Sequence, residues 1–562
     1  MISLDAVSQA HLTEFNRTIA RWTRLSGTPD ERDAAAYVEE QLRLFGFAAK
    51  TVVHDAFISL PQAASLRIIA PEPRNLPCIT HSMGIPTDAQ PVAAEVVYAA
   101  TGSPQDYAKA GAAGKIALVE GRATPAHAVA ATRAGVLGLI CISGRYAHEM
   151  CCSPVWGNPG ESTRGALPRV HLLSVNKADG ETLRDLCTHG RVDAQFTAQV
   201  ETGWTKTPIV IGDLAPGHPD ADATFVLFSG HLDSWYLGAM DNGSANAAML
   251  EVARVLAPRR ASFRRGLRLA FWSGHSHGRY SSSAWYADTN WFELAERCVC
   301  HVNVDSLGGI DADTFATNSM PETAPLGIWA VKEAAGGALD AKRVGRNSDQ
   351  SFLGAGIPSL LGSVSHQTDG SLGWWWHTPH DTLDKIDPVR LVRDTKVFVL
   401  AISRLLEDPV LPLDCAAAAR DLRQGLEGLA TAASPRGQDG GFDLRPAADA
   451  AARLEELCGR LSRAAQPVTG GISARHINAC LRRLGRALIP ATYTSAGPYG
   501  HDAALETTFL PRLDAVRRLA ALTPDSDEAK FLRVDLVRGR NAVTAAIQEA
   551  CGHVEACLER LG

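Results

Sequence analysis

The stretch "FVLFSGHLDSW", residues 225–235, decides how this chain folds. A continuous apolar run stops at a glycine and is followed at once by His231 and Asp233. That is the pattern of a strand buried on both faces that presents polar side chains at its carboxyl end. Outward from it, strands and helices alternate. "TPIVIGDL" (207–214) comes before, and the helical "SANAAMLEVARVL" (244–256), with Ser244 as its expected N-cap, comes after. "LRLAFWSG" (267–274), "RCVCHVNVDSLGG" (297–309), a helix near 325–335, "IPSLLGS" (357–363) and a helix over about 388–406 continue the series. The alternation predicts an α/β fold: a mixed, largely parallel sheet covered by helices on both faces.

The flanks differ in texture. Residues 11–46 place Leu12, Phe15, Ile19, Val38 and Leu42 at helical spacing, with "SGTPDE" (26–31) between two helices. From residue 92, short apolar strands such as "GKIALVEG" (114–121) and "VLGLICIS" (136–143) alternate with Gly- and Ala-rich stretches, which reads as an inserted domain over 92–203. Beyond "PVLPLD" (409–414) the chain is Ala-, Leu- and Arg-rich with helical spacing, broken by a loop "SPRGQDGGFD" (434–443). The expected organisation is an α/β domain in two parts, 1–91 and 204–411, around the insert, followed by an all-α domain, 412–562.

A chain of 562 residues exceeds what one core supports, about 250–300 residues. With 46% apolar and 21% charged residues it has the composition of an ordinary globular protein. A net charge of -6 without a basic stripe argues against nucleic acid as a partner. No apolar run reaches the roughly 18 residues needed to span a bilayer. The first residues lack the basic start and apolar stretch of an export signal, so a cytoplasmic location is expected. The 12 cysteines are irregularly spaced and read as mostly buried thiols, the neighbours Cys151 and Cys152 being the redox candidates.

Several segments end in residues that ligate metals. His231 and Asp233 follow one strand, Asp241 precedes a helix in "LGAMDNGSANAAM" (237–249), Asp305 closes "HVNVDSLGG" (301–309), and His377 lies in "WWWHTPHDTLDKID" (374–387). Imidazole nitrogens and carboxylate oxygens converging from strand ends suit a hydrolytic divalent site. Any one of them alone would be an ordinary loop residue. Together, in this order, they argue for a site.

These motifs, with "SDQSFLGAGIPSLL" (348–361), resemble in order those of the binuclear zinc exopeptidases of the bacterial aminopeptidase, glutamate carboxypeptidase II and transferrin receptor type. Residues 92–203 are similar to the protease-associated insert of that group, a β-rich domain. Residues 412–562, including "LGRALIPATYTSAGPYGHDAALETTFLPRL" (484–513), resemble its helical dimerisation domain. The resemblance implies that His231, Asp241 and Asp305 hold one metal ion, with Asp241 bridging to a second that His377 also binds, and that Asp233 orients His231 by accepting its other ring proton. Zinc is the first expectation, as one or two ions, with iron, manganese, nickel or cobalt as alternatives. A homodimer formed through the helical domain is also implied.

One motif departs from the family. In "LRLAFWSGHSHGRYSSSAWYA" (267–287), His275 stands where the family has its general-base Glu, and Ser276 where it has a metal-ligating Glu. Three readings stay open. His275 serves as base and His277 replaces the lost ligand; or the roles are exchanged, or a single ion remains; or catalysis is lost and the protein is a receptor-like binding module. Trp235, Tyr236, Arg279, Tyr280 and Trp376 are candidate substrate contacts, although tryptophans serve equally as core. Gln350 alters the rim, and His366 and His380 read as solvated. The activity implied is metal-dependent hydrolysis of an amide or peptide-like C–N bond in a small molecule or short peptide, with cyclisation or elimination as alternatives on the same fold.

Overall fold

The computed structural model describes residues 3–433 and 441–561. Most of the expected loop 434–443, residues 434–440, lies outside the described residues. Four parallel strands form the centre of the sheet, in the order Ser359–Leu360, Cys298–Asn303, Phe225–His231 and Gly266–Trp272. Nearly every residue of the three longer ones is buried, as continuous apolar strands covered on both sides should be. On one face, helices Gln9–Ile19, Pro29–Leu44, Ala245–Leu256 and Pro388–Glu407 cover Val226, Phe228 and Val302 with Leu12, Val38, Leu250 and Phe398. On the other, Leu227, Ala270 and Trp272 pack with Tyr286, Leu294 and Phe352. Because the central strands run in one direction, their carboxyl ends share one edge, and the polar residues after His231, Trp272 and Asn303 emerge there.

Next to Gly266–Trp272 the sheet continues into the antiparallel strand Val192–Leu214, whose register with Ala48–Ala70 runs from Ala48↔Asp213 to Ala70↔Asp193. This long ribbon leads into a second group of parallel strands, Val92–Tyr98, Ile116–Glu120, Gly138–Ile142 and His171–Val175. Their apolar residues form clusters of their own, such as Ile116, Leu118 and Phe196 on one face and Val119, Leu139 and Leu172 on the other. The backbone has no break at residue 203, because Val192–Leu214 passes straight through it.

The C-terminal region is helical: Cys415–Ala433, Arg445–Ala465, Gly471–Tyr493 and Asp527–Leu561. Its core, with Leu426, Leu454, Leu484 and Ile547, is continuous with the helix-covered face of the sheet. No helix among the described residues is long and apolar enough to cross a membrane. The helix after Asp241 starts at Ala245, and Ser244 does not cap it. Its hydroxyl donates back to Met240 O at 2.9 Å and accepts from Leu307 N at 2.9 Å, tying the Asp241 turn to the loop after Asp305.

Candidate metal centre

Close approach of backbone at the sheet edge brings the first groups together. A Cβ on Gly230 would sit 2.7 Å from Val304 O, so only glycine lets the strand before His231 lie against the loop before Asp305. His231 Nδ1 lies 2.9 Å from the Asp233 carbonyl oxygen, which fixes Nδ1 as a donor and leaves Nε2 as the ring atom nearest Asp241. The expected acceptor, the Asp233 carboxylate, is farther away at 3.5 Å because its oxygens have other donors. Ser26 Oγ donates to Oδ2 at 2.8 Å, Ser276 N to Oδ2 at 2.9 Å and His275 N to Oδ1 at 3.4 Å. Asp233 therefore shapes the turn that carries His275 as well as lying beside His231.

Asp241 lies between two imidazoles. Its Oδ1 is 3.0 Å from His231 Nε2 and its Oδ2 is 2.9 Å from His377 Nε2, while Asp305 Oδ1 is 3.6 Å from His231 Nε2. His275 stacks on His231 with ring centroids 3.7 Å apart and planes inclined by 8°. One donor atom each from His231, His275 and Asp305 fall within 4.8 Å of one another. His231 Nε2 is buried and lacks a hydrogen-bond partner, although Asp241 Oδ1 lies only 3.0 Å away. Electron-pair donors grouped this closely fit a bound cation. Burial works against charge on His231, but Asp233, Asp241 and Asp305 outweigh it and hold the imidazole well above its ordinary range.

Supporting contacts come from residues for which the sequence reading assigned no role. Asp381, in the His377 loop, accepts from Met240 N at 2.9 Å and Asp241 N at 3.0 Å, and burial pushes its carboxyl up to about 7. Arg24, fully buried, donates to the carbonyls of Leu232, Leu237 and Gly238 at 2.8–3.0 Å and so braces the loop between His231 and Asp241. His275 Nδ1 is 2.9 Å from Asp349 Oδ2, and Ser283 Oγ donates to Asp349 Oδ1 at 2.7 Å. Asp349 lies inside the quoted "SDQSF", so its position was visible although its partner was not.

The remaining expected residues separate into those that face the cavity and those that do not. The cavity has a volume of about 680 Å³ and is lined by Asp241, His275, Asp305 and His377 together with Trp235, Arg279, Tyr280, Gln350 and Trp376. Trp376 stacks on His377 at 3.4 Å. Tyr236 does not line it: its hydroxyl donates to Glu149 Oε1 at 3.0 Å, in the segment 92–203. His277 is fully buried behind the site, with Nδ1 2.9 Å from Ser26 Oγ and its ring 4.2 Å from Trp235, outside the converging group. His366 is half-buried at the cavity wall rather than solvated, because its short strand Ser365–His366 pairs with Thr314–Asn318; His380 is exposed. Trp375 is core, with Nε1 3.3 Å from Met240 Sδ.

Residues 210–402 match Peptidase family M28. The matched span holds His231, Asp241, His275, Asp305 and His377. The probable glutamate carboxypeptidase VP8 of Zea mays is 24% identical over 525 residues, covering 77% of this chain and 72% of that protein. Aminopeptidase YwaD of Bacillus subtilis (strain 168) is 25% identical over 393 residues, 67% of this chain and 80% of that one. Among solved structures, BSAP, a zinc aminopeptidase from Bacillus subtilis, superposes with a TM-score of 0.55 at 22% identity, covering 72% of this chain and 96% of that one. The architecture is thus that of the M28 zinc aminopeptidase structures, with a C-terminal helical region.

Proposed function

We propose that this protein is a metal-dependent hydrolase of amide or peptide-like C–N bonds in small or short peptide-like substrates. The observation that carries the reading is Asp241 held between His231 and His377, with Asp305 and His275 converging beside it on one cavity. The M28 match and the peptidase relatives point the same way. His231, Asp241, Asp305 and His377 would hold the cation, zinc first and iron, manganese, nickel or cobalt as alternatives. When bound, a divalent ion supplies Lewis acidity toward a carbonyl oxygen and acidifies water.

In this reading His275 is the proton carrier. Its Nδ1–H donates to Asp349, leaving Nε2 to take a proton from the attacking water and pass it to the leaving nitrogen. The water oxygen joins the acyl carbon, the C–N bond breaks, and the nitrogen departs with the proton. One observation favours a second role: His275 lies in the same donor group as His231 and Asp305, and a carboxylate behind a ring nitrogen is also the usual setting of a ligating imidazole.

Pairing of two copies through the helical region belongs to the same proposal. Phe531, Val534 and Val537 recur on one side of helix Asp527–Leu561 and expose 74%, 49% and 39% of their surface. A cytoplasmic setting agrees with twelve free thiols. The deciding experiment is elemental analysis of the purified protein combined with assays on N-acyl amino acids and dipeptides. Bound transition metal and chelator-sensitive hydrolysis are expected; a metal-free protein that hydrolyses none of them after zinc, iron or manganese is added ends the reading.

A further inference from the structure

Where the site cavity ends, two cationic side chains stand without an ion-pair partner among the described residues, Arg346 feeling the Asp502 carboxylate only at a distance. Arg279 lies over the Tyr280 ring at 4.9 Å and Arg346 over the Trp156 ring at 4.0 Å, and the two aromatic rings pack on each other at 4.4 Å. Both guanidiniums direct hydrogen bonds to carbonyls of one short loop: Arg346 to Asp502 O at 2.6 Å and Arg279 to Ala504 O at 3.4 Å. Among the described residues no carboxylate pairs with either. The nearby Asp502 carboxylate is occupied by Ser495 and Ala496. Arg279 Nε is buried and has no partner, and the two arginines repel each other. A buried and a half-buried like charge held by aromatic faces and carbonyls, with a donor unused, are what an anion-binding site requires of its protein half.

The surroundings say what else the anion carries. Met150, Arg279 and Asn347 line both the site cavity and a second chamber of about 1010 Å³. Its wall is built largely of small and apolar residues, among them Pro104, Tyr107, Val129 and Ala130, with Arg133 and Glu506 as its other charged residues. A space of that size, at the upper end of ligand pockets, takes the largest amino-acid side chain with room to spare. Arg279 thus stands on the boundary between the cavity that holds the metal-site donors and the chamber, with Arg346 on the chamber side.

We propose that Arg279 and Arg346 bind the free carboxylate of the substrate's amine half while the chamber takes its large apolar side chain, so that preferred substrates are N-acyl or peptidyl derivatives of large apolar amino acids. The proposal rests on the hydrolase reading above and adds its substrate class. Hydrolysis then releases the acyl acid and the free apolar amino acid, the amine nitrogen having taken the proton from water.

The test compares N-acetyl-L-phenylalanine, its carboxamide and N-acetyl-L-glutamate on the full-length, metal-reconstituted protein. The free phenylalanine acid is expected to exceed both others at least tenfold in kcat/KM. Arg279→Met should shrink the preference for acid over carboxamide to below threefold, mainly through KM, and Ala130→Trp should abolish the preference for phenylalanine over alanine derivatives. If Arg279→Met does not melt cooperatively, Arg346→Met takes its place. Hydrolysis with no preference for the acid, or with glutamate preferred, overturns the substrate class and leaves the hydrolase reading standing. If none of the three is hydrolysed, calorimetric titration decides: N-acetyl-L-phenylalanine binding at least tenfold tighter than the carboxamide supports the anion site, and equal or absent binding rejects it.

Discussion

Glu149 and His377 hold each other through backbone. Glu149 N donates to His377 O at 3.0 Å, and His377 Nδ1 donates to Glu149 O at 2.6 Å. One residue earlier on each side, His148 Nδ1 reaches Trp376 O at 2.5 Å. The segment 92–203 thereby sets the tautomer and direction of a metal-site imidazole that lies 228 positions along the chain. Because the link uses main-chain atoms, side-chain identity at 149 should matter little and its N–H should matter much. Glu149→Pro is expected to weaken zinc binding about 10- to 100-fold in competition with a chromophoric chelator, and Glu149→Gln to leave it within about threefold. Equal affinities in the two variants would show that the segment does not position His377.

Removing the proposed proton carrier separates its two roles. His275→Ala should lower kcat at least about a hundredfold, with the melting transition and metal content retained. Loss of metal along with activity would make His275 a ligand instead. Asp349→Asn, which keeps the shape but weakens the hold on Nδ1–H, should cost about 10- to 100-fold in kcat, and unchanged kinetics there would refute the dyad.

His277 lies behind the site, its Nδ1 engaged by Ser26. His277→Gln is expected to retain the wild-type metal equivalents by elemental analysis while lowering the melting temperature, because a buried hydrogen-bonded contact is disturbed. A loss of one equivalent would place His277 among the ligands.

Acid should unfold the protein through histidines remote from the chemistry. Burial pushes His81 and His301 down to about 3, each with one ring nitrogen on a serine hydroxyl. The unfolded chain takes up these protons near its ordinary pKa of about 6.5, so this stability is complete above that pH and is lost as pH falls toward 3. Each imidazole contributes a slope of about 1.4 kcal/mol per pH unit in that window. Urea midpoints at pH 7 and 5 should converge in His81→Gln relative to wild type. An unaltered gap would mean that this histidine is not buried in its neutral form.

Much of this is legible in the sequence. The strand ends at His231 and Asp305 and the helix behind Asp241 follow from apolar runs that stop at polar residues. The helices over 325–335 and 388–406 lie within a residue of the observed Ala324–Ala335 and Pro388–Glu407. Polarity in loops is the weaker guide. Tyr236 follows the His-x-Asp motif, yet a left-handed backbone, φ 52°, turns it toward Glu149. Ser244 has the right residue type for a cap, but a turn tied to Leu307 claims its hydroxyl.

The amino-acid order by itself determined that a largely parallel sheet would deliver imidazoles and carboxylates to one edge, since buried strands in one direction share their carboxyl ends. The tertiary structure decided which side chains meet there: Asp349 behind His275, Glu149 behind His377, Asp381 beneath Asp241, and Arg279 with Arg346 on the Trp156–Tyr280 pair beside a second chamber. Such pairings depend on side-chain direction and on hydrogen bonds between segments 74 to 228 positions apart, which local periodicity does not encode.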